Sequence, residues 1–290
     1  MAISPEAKLD VQRLMQREYS AAKQYWAIYI VLQFVSLGLA GYVIFLAAGM
    51  KLIASGAASI LLPILTFHIK RSADYRYGLG ERLRKLVLLQ DGLGRTPTQV
   101  EVLEALADAT SLMYLDSAPV EAYYSSPLPQ SPKRLAHIVE ESAYYTRRLA
   151  SFSSCACSLL TAIGFCLAFA LLWFAVQANR LPNPSLAQTP LLANGEQLAR
   201  VASTLFIFFL IGTFETLSKS FQTLAEAAQA TFRKCNGLRL QPTVTDLEAC
   251  LALGTYDCAL AKAPPIPGIV HWIFKKRLHN AWLAEMDRNR

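Results

Sequence analysis

The sequence predicts an all-α membrane protein: four transmembrane helices in two hairpins, with a cytosolic helical domain built from the middle and C-terminal segments. Three observations predict it. Between Arg148 and Arg180 the 31 residues of Leu149–Asn179 carry no charge. As a helix that run is roughly 46 Å long, against a hydrocarbon core of about 30 Å. The whole chain is 53% hydrophobic and 17% charged, with a mean hydropathy of +0.29, an apolar excess over an ordinary soluble domain. Its positive charge is also segregated. Of 28 Lys and Arg, 4 precede the first apolar run, 11 lie between Lys70 and Arg148, and 10 follow Glu215, which leaves Lys51, Arg180 and Arg200. Positive residues favour the cytoplasmic side, so both termini and the middle segment are expected inside.

Each element follows from local chemistry. Residues 1–24 are expected as a cytosolic N-terminal helix: Ser4 suits the cap, Pro5 the first turn, and Glu6 the positive end of the dipole. Residues 25–69 form hairpin one, with spans Tyr25–Ala48 and Leu52–Ile69 joined by a turn at Ala47–Lys51. Trp26 and Tyr29 mark a membrane interface, and Pro63 is tolerated because neighbouring helices satisfy the carbonyl it frees. Residues 70–148 are the cytosolic helical segment. A helix continues from the second span to about Gln90, and a turn follows at Gly92–Pro97. A second helix, capped by Thr96 with Pro97 at its first position, runs to about Leu115 with Val100, Leu103, Leu106 and Leu112 at helical spacing. The prolines of Ser117–Pro132 make a loop, and a third helix from near Lys133 enters the long span without a break.

Residues 149–218 form hairpin two. After a loop to Asn194 its second span is Leu198–Ser218, whose uncharged core Val201–Phe214 has only 14 residues, short for a span taken alone. Residues 219–290 are the cytosolic C-terminal helical segment. One helix ends at Asn236–Gly237, another covers Thr245–Lys262, and Ala263–Pro267 breaks the chain. The last helix, Gly268–Met286, sets Ile269, Trp272, Ile273, Leu278, Trp282 and Leu283 beside Lys275, Lys276 and Arg277. Such a helix either lies on an anionic leaflet or docks on its own domain.

Several function classes find no support. The first 23 residues hold Glu6, Asp10 and Glu18 and no early apolar core, so no cleavable signal peptide is expected. The six cysteines lack zinc-ligand spacing and read as free thiols. His68, His137, His271 and His279 sit in unrelated contexts, and His137 with Glu140 and Glu141 reads as a solvated helix face. Gly78-Leu79-Gly80 lacks the strand and third glycine of a dinucleotide loop. No catalytic constellation, metal, cofactor or nucleic-acid polymer is therefore expected.

Two sets of residues are candidates for function. Small and polar stripes mark three spans: Gln33, Ser36, Gly38 and Gly41 on the first, Ser55, Ser59 and Thr66 on the second, and Ser154, Cys157, Ser158, Thr161 and Gly164 on the third. They serve helix packing or, alternatively, line a water-filled pore; their lack of charge favours packing. Glu215 is the one ionisable residue near hydrocarbon, and Lys219 is placed to pair with it one turn on. The second set is a cluster suited to an anion. Arg71, Arg76, Arg82 and Arg84 are interleaved with Tyr75 and Tyr77, while Tyr144, Tyr145, Arg147 and Arg148 lie at the same membrane-proximal level. Arginine forks grip phosphate and aromatic rings stack on bases. A plain basic and aromatic collar at a cytoplasmic interface is the other reading of the same residues.

The segments Glu18-Tyr-Ser-Ala-Ala-Lys-Gln, Leu89-Gln-Asp-Gly-Leu-Gly-Arg-Thr-Pro and Glu141-Ser-Ala-Tyr-Tyr-Thr-Arg-Arg-Leu resemble the SMODS-associating four-transmembrane effectors. The two-plus-two span layout is similar too, and the SLATT membrane proteins are a related group. The resemblance implies a membrane-permeabilising effector of a bacterial anti-phage system, in the inner membrane. A cyclic oligonucleotide from a cGAS/DncV-like nucleotidyltransferase would open it, with abortive infection as the outcome; a homo-oligomer is expected because four spans with sparse polar faces enclose little water alone. It supplies no residue-level site, so the candidates remain those above.

Overall fold

The computed structural model describes residues 5–44, 48–98, 100–101, 104, 124, 126–180, 195–210 and 213–288. Among them there is no strand, and the helices are α1 (Pro5–Val43), α2 (Ala48–Leu93), α3 (Pro132–Arg180), α4 (Gly195–Leu210), α5 (Thr213–Leu240), α6 (Asp246–Lys262) and α7 (Gly268–Arg288). The all-α class is thus as expected. Among the described residues, four helical stretches are long and apolar enough to cross a membrane: Val11–Val43, Gly49–Leu93, Pro132–Gln177 and Gly195–Leu240. These make the chain a multi-pass membrane protein. The fourth comprises α4 and α5, with residues 211–212 between them outside the described set.

The chain divides into two compact units. The first is Met1–Trp26, Arg71–Ser153 and Ser220–Arg290; the second is Ala27–Lys70 and Ser154–Lys219.

In the first unit, helical periodicity builds the core. Val11, Leu14 and Met15 of α1, Leu79, Leu83 and Val87 of α2, and Leu135, Ile138 and Val139 of α3 are buried together. Leu224, Ala228 and Leu238 of α5 and Ala252, Leu253 and Tyr256 of α6 complete it. Spacings of three and four residues put each set on one helix face. Ala136, Ala143 and Ala150 recur every seven residues along α3 and are all fully buried, so neighbouring helices can approach the α3 backbone there. Truncating any one of the buried leucines to Ala is worth about 2–5 kcal/mol.

In the second unit, large apolar side chains face outward: Ile53, Ile60, Leu61, Leu159, Phe169 and Trp173 are exposed. A surface of that kind belongs in lipid, because water would penalise so wide an apolar area. Between the helices, Phe34 of α1 meets Phe208 of α4 and Phe214 of α5, with centroids 6.3 and 5.4 Å apart. Phe165 and Phe169 of α3 flank Phe206, and Gly164 leaves the space that the Phe209 ring fills.

The helix boundaries depart from expectation at three places. Residues 48–51, expected in a turn, are the first turn of α2; Ala, Met and Lys are good helix formers. Thr98, not Thr96, opens the helix after the Gly94 turn. Its backbone N–H donates to Glu101 Oε2 at 2.8 Å and its Oγ1 accepts from Glu101 N at 3.2 Å, a reciprocal capping pair that Thr96 does not make. Leu103, Leu106, Leu112 and Leu115 of the expected helix lie outside the described residues, as do Ser4, the loop to Asn194 and half of Ser117–Pro132. Asn236–Gly237 does not end a helix: α5 continues to Leu240. Burial of Cys235 and Leu238 in the core outweighs a glycine penalty of about 1 kcal/mol. Elsewhere α3 runs unbroken through Arg148 into the long apolar run, and α6 begins at the Thr245 cap, boxed by Glu248.

Candidate functional site

The expected Arg and Tyr cluster does not form one patch. Part of it is consumed by the core of the first unit. Arg84 lies buried on α2, where Nη2 donates to Asp257 Oδ1 at 2.6 Å and Nε to Glu81 Oε2 at 2.8 Å. Its guanidinium also stands 5.2 Å from the centroid of the Tyr256 ring, a cation–π contact. The Tyr256 hydroxyl in turn donates to Thr146 Oγ1 at 2.6 Å. Burial disfavours the charge on Arg84, but Glu81 and the surrounding tyrosines more than offset that and hold it deep in the protonated range. Burial also pushes Tyr77 and Tyr19 well above the ordinary phenol range, with Glu81 adding to it. Their rings lie 5.8 Å apart, and Gly80 makes room for Tyr19.

Arg76 is likewise engaged. Its Nη1 donates to Glu18 Oε2 at 3.0 Å, and Glu18 is 0% exposed. The Arg76 guanidinium also stands 5.4 Å from the Tyr25 ring. Removing one partner of an ion pair buried that deeply is strongly destabilising. Arg76, Arg84 and Tyr77 therefore hold the unit together and present no free guanidinium to a ligand.

A second part gathers around α3, α5 and α7. Tyr144 is buried, packed on Trp282 at 5.3 Å and Phe232 at 6.0 Å. Arg147 stacks over Phe232 and Tyr144 at 5.0 and 5.5 Å and donates to Gln229, while exposed Arg148 reaches the Tyr144 ring at 6.0 Å. The Tyr145 hydroxyl lies 3.3 Å from His279 Nδ1, and burial pushes its phenol up to about 12.

The reading of His137, Glu140 and Glu141 as a solvated face is overturned: all three are buried. Packing against α5 and α7 turns this face inward. His137 Nε2 sits 3.4 Å from Met286 Sδ, its ring 5.8 Å from Trp282, and burial, with Arg239 and Arg134 nearby, lowers it to about 4. Glu140, 1% exposed, accepts from Arg239 Nε at 3.0 Å, yet burial still raises its carboxyl to about 7.

The remaining part is a solvent-facing stripe. Arg71, Tyr75 and Arg82 are exposed, and their spacing of four and seven residues puts them on one face of α2. Roughly 16 Å separates the two arginines along the axis, a span suited to two or more phosphates.

The pore and gating candidates separate too. Glu215 and Lys219 pair at 2.7 Å, both exposed. Ser158 and Ser154 converge on Ser218 Oγ at 2.8 and 3.0 Å, and Ser218 donates to the Ser154 carbonyl at 3.1 Å. Thr161 donates to Cys157 O, and Thr66 to Leu62 O and Pro63 O. Ser55 is exposed, and the side chain of Ser59 lies outside the described residues. Among the described residues no three His, Cys, Asp or Glu side chains are grouped to hold a metal ion.

Sequence reasoning missed Glu18, Glu81, Asp257, Glu140, Arg239 and Trp282. Apart from Glu81, which pairs with Arg84 one turn away, they meet their partners only by folding: the Arg76–Glu18, Arg239–Glu140 and Arg84–Asp257 pairs are 58, 99 and 173 residues apart in the chain. Compared with known proteins, the chain matches no family model, no curated protein and no solved structure.

Proposed function

We propose that this chain is a membrane-permeabilising effector of a bacterial anti-phage signalling system, opened by a cyclic oligonucleotide from a cGAS/DncV-like nucleotidyltransferase. Several copies assemble in the inner membrane with both termini in the cytoplasm, and their opening leads to abortive infection. The family resemblance of the Glu18, Leu89 and Glu141 segments supplies the system. One structural observation carries the coupling: α2 and α3 are each a single unbroken helix, holding both an apolar stretch long enough to cross lipid and the Arg- and Tyr-bearing turns.

The ligand site on this reading is the exposed set Arg71, Tyr75, Arg82 and Arg148, together with the half-buried Arg147. Arg76 and Arg84 are excluded because they already pair with Glu18 and with Asp257 and Glu81. The ligand shifts the chain toward an open state only in so far as it binds that state more tightly. The test is dye leakage from proteoliposomes on adding cyclic oligonucleotides, with Arg71→Glu/Arg82→Glu as the comparison. Leakage that no such ligand changes counts against the proposal.

A second reading is a SLATT-like membrane scaffold or small channel gated by a protein partner without nucleotide. The hydroxyls of Ser154, Ser158, Ser218, Thr161 and Thr66 favour it, since they bond to one another or to their own helix, as packing residues do. It expects the Arg71→Glu/Arg82→Glu chain to behave as wild type.

A further inference from the structure

We infer that the N-terminal turns of α7 are a bilayer anchor: Ile269, Trp272 and Ile273 enter the interface of an anionic leaflet, and Lys276 and Arg277 sit on its headgroups. The inference rests on reading the apolar helices as membrane spans. It differs from a helix lying flat on the lipid.

The contacts of α7 fix its course against α3. Phe274 packs on Phe152 at 4.4 Å, the Tyr145 hydroxyl meets His279, and Trp282 and Met286 reach Tyr144 and His137. As numbers rise along α7 they fall along α3. The helix therefore stands antiparallel beside α3, its N-terminal end directed along the uncharged run that begins at Leu149. Val270 and Leu278 close the same seam with Leu149.

Levels follow from the helical rise. Phe274 is level with Phe152, already inside the uncharged run. Trp272 and Ile269 then lie about 3 and 7 Å further in that direction. Lys276 and Arg277 lie about 3–5 Å the other way, near the level of Arg148, the last charge before the run. Gly268 places the same end beside Lys23, which immediately precedes the apolar part of α1.

The two faces of α7 are unlike. Val270, Phe274, Leu278 and Trp282, four residues apart, point into the unit, and Trp282 is 1% exposed. Ile269, Trp272, Ile273 and Lys276 occupy the opposite face; Trp272 is 80% exposed, and Ile269 and Ile273 are also open. An indole and two isoleucines facing outward at the entry of a span, with cations a turn behind, match the chemistry of the headgroup boundary. The occupant is therefore lipid with anionic headgroups.

The experiment uses the full chain in vesicles of phosphatidylcholine with or without phosphatidylglycerol. The tryptophans are Trp26, Trp173, Trp272 and Trp282. Wild-type emission minus that of Trp272→Phe isolates Trp272; subtraction of Trp173→Phe isolates Trp173 in the long run, as the control for spanning. With brominated lipids the Trp272 component should lose most of its intensity, while aqueous iodide should leave it nearly unchanged. In Lys276→Glu/Arg277→Glu that quenching should lose its dependence on phosphatidylglycerol. Strong iodide quenching of Trp272 overturns the inference. So does protection from both quenchers, the mark of a second copy covering it. Should Trp173 also escape brominated lipid, the spanning reading falls as well; should Trp173 alone be quenched, only the anchor falls.

Discussion

Arg84 Nη2 and Asp257 Oδ1 meet at 2.6 Å although 173 residues of chain separate them. This pair, with Glu81 accepting from Arg84 Nε, joins α2 to α6 inside the first unit. Removing the cation leaves Glu81 and Asp257 facing each other in a largely water-free site. Arg84→Met is expected to cost about 3–5 kcal/mol, and Arg84→Met/Asp257→Asn to recover part of it. Melting of the detergent-solubilised protein checks both; equal midpoints for the single and double variants would refute the coupling.

The arginines of α2 should divide by burial. Arg76→Glu sets a second carboxylate against Glu18, which has no water to retreat to, so a large loss of stability is expected. Arg71→Glu/Arg82→Glu alters an exposed face and should change stability by no more than about 0.5 kcal/mol per site. If the ligand proposal holds, the latter variant abolishes nucleotide-triggered leakage while melting as wild type. A stable variant that still responds would remove these two residues from the site.

Glu140 and His137 set opposing pH dependences. Burial raises Glu140 from 4.5 to about 7, so in that window the folded chain keeps a proton the unfolded chain has released. Stability contributed there falls as pH rises. Burial lowers His137 from 6.5 to about 4, so the unfolded chain binds the extra proton and stability falls as pH drops. Relative to wild type, the melting midpoint of Glu140→Gln should climb between pH 4.5 and 7, and that of His137→Gln should climb as pH falls from 6.5 to 4. Offsets independent of pH would count against both.

Glycines on two helices should respond oppositely to alanine. A Cβ at Gly92 would come within 2.8 Å of the Leu135 backbone, so Gly92→Ala must push α2 from α3 and destabilise. At Gly254 nothing lies within 4 Å, and Gly254→Ala should stabilise by up to about 1 kcal/mol. Side-by-side thermal melts decide it.

Ser218 is the hub of the hydroxyl contacts between α3 and α5. Ser218→Ala should cost about 0.6–2 kcal/mol, the range for such bonds in lipid. A pore-lining hydroxyl would instead show as altered ion flux at unchanged stability, measured in the same proteoliposomes.

The helical class and the apolar stretches were legible because charge and hydrophobicity vary along the chain on the scale of a bilayer. The Thr245 cap and the break at Ala263–Pro267 were legible because they are local. What failed was burial. The Arg and Tyr cluster read as one patch, since spacing along α2 does not reveal which arginine meets a distant carboxylate. A trace of it was present: Glu18 interrupts the stripe Val11, Leu14, Met15, Ala22, and Arg84 lies among Leu83, Val87 and Leu88. A charge on the apolar face of an amphipathic helix asks for an oppositely charged partner, and both have one. His137 and Glu140 likewise lie among Leu135, Ala136 and Val139, on the face that α5 and α7 cover.

The first unit is assembled from three separated pieces of chain, Met1–Trp26, Arg71–Ser153 and Ser220–Arg290. During synthesis Glu18, Arg84 and Glu140 are made long before Arg239, Asp257 and Trp282 leave the ribosome. Insertion of the apolar stretches must then precede closure of this core, and the nascent chain exposes unmatched charges and bare helix faces until residues 220–290 arrive. Delay at that stage would make the protein a client of chaperones and membrane proteases, so translation speed across residues 220–290 bears directly on how much of it accumulates.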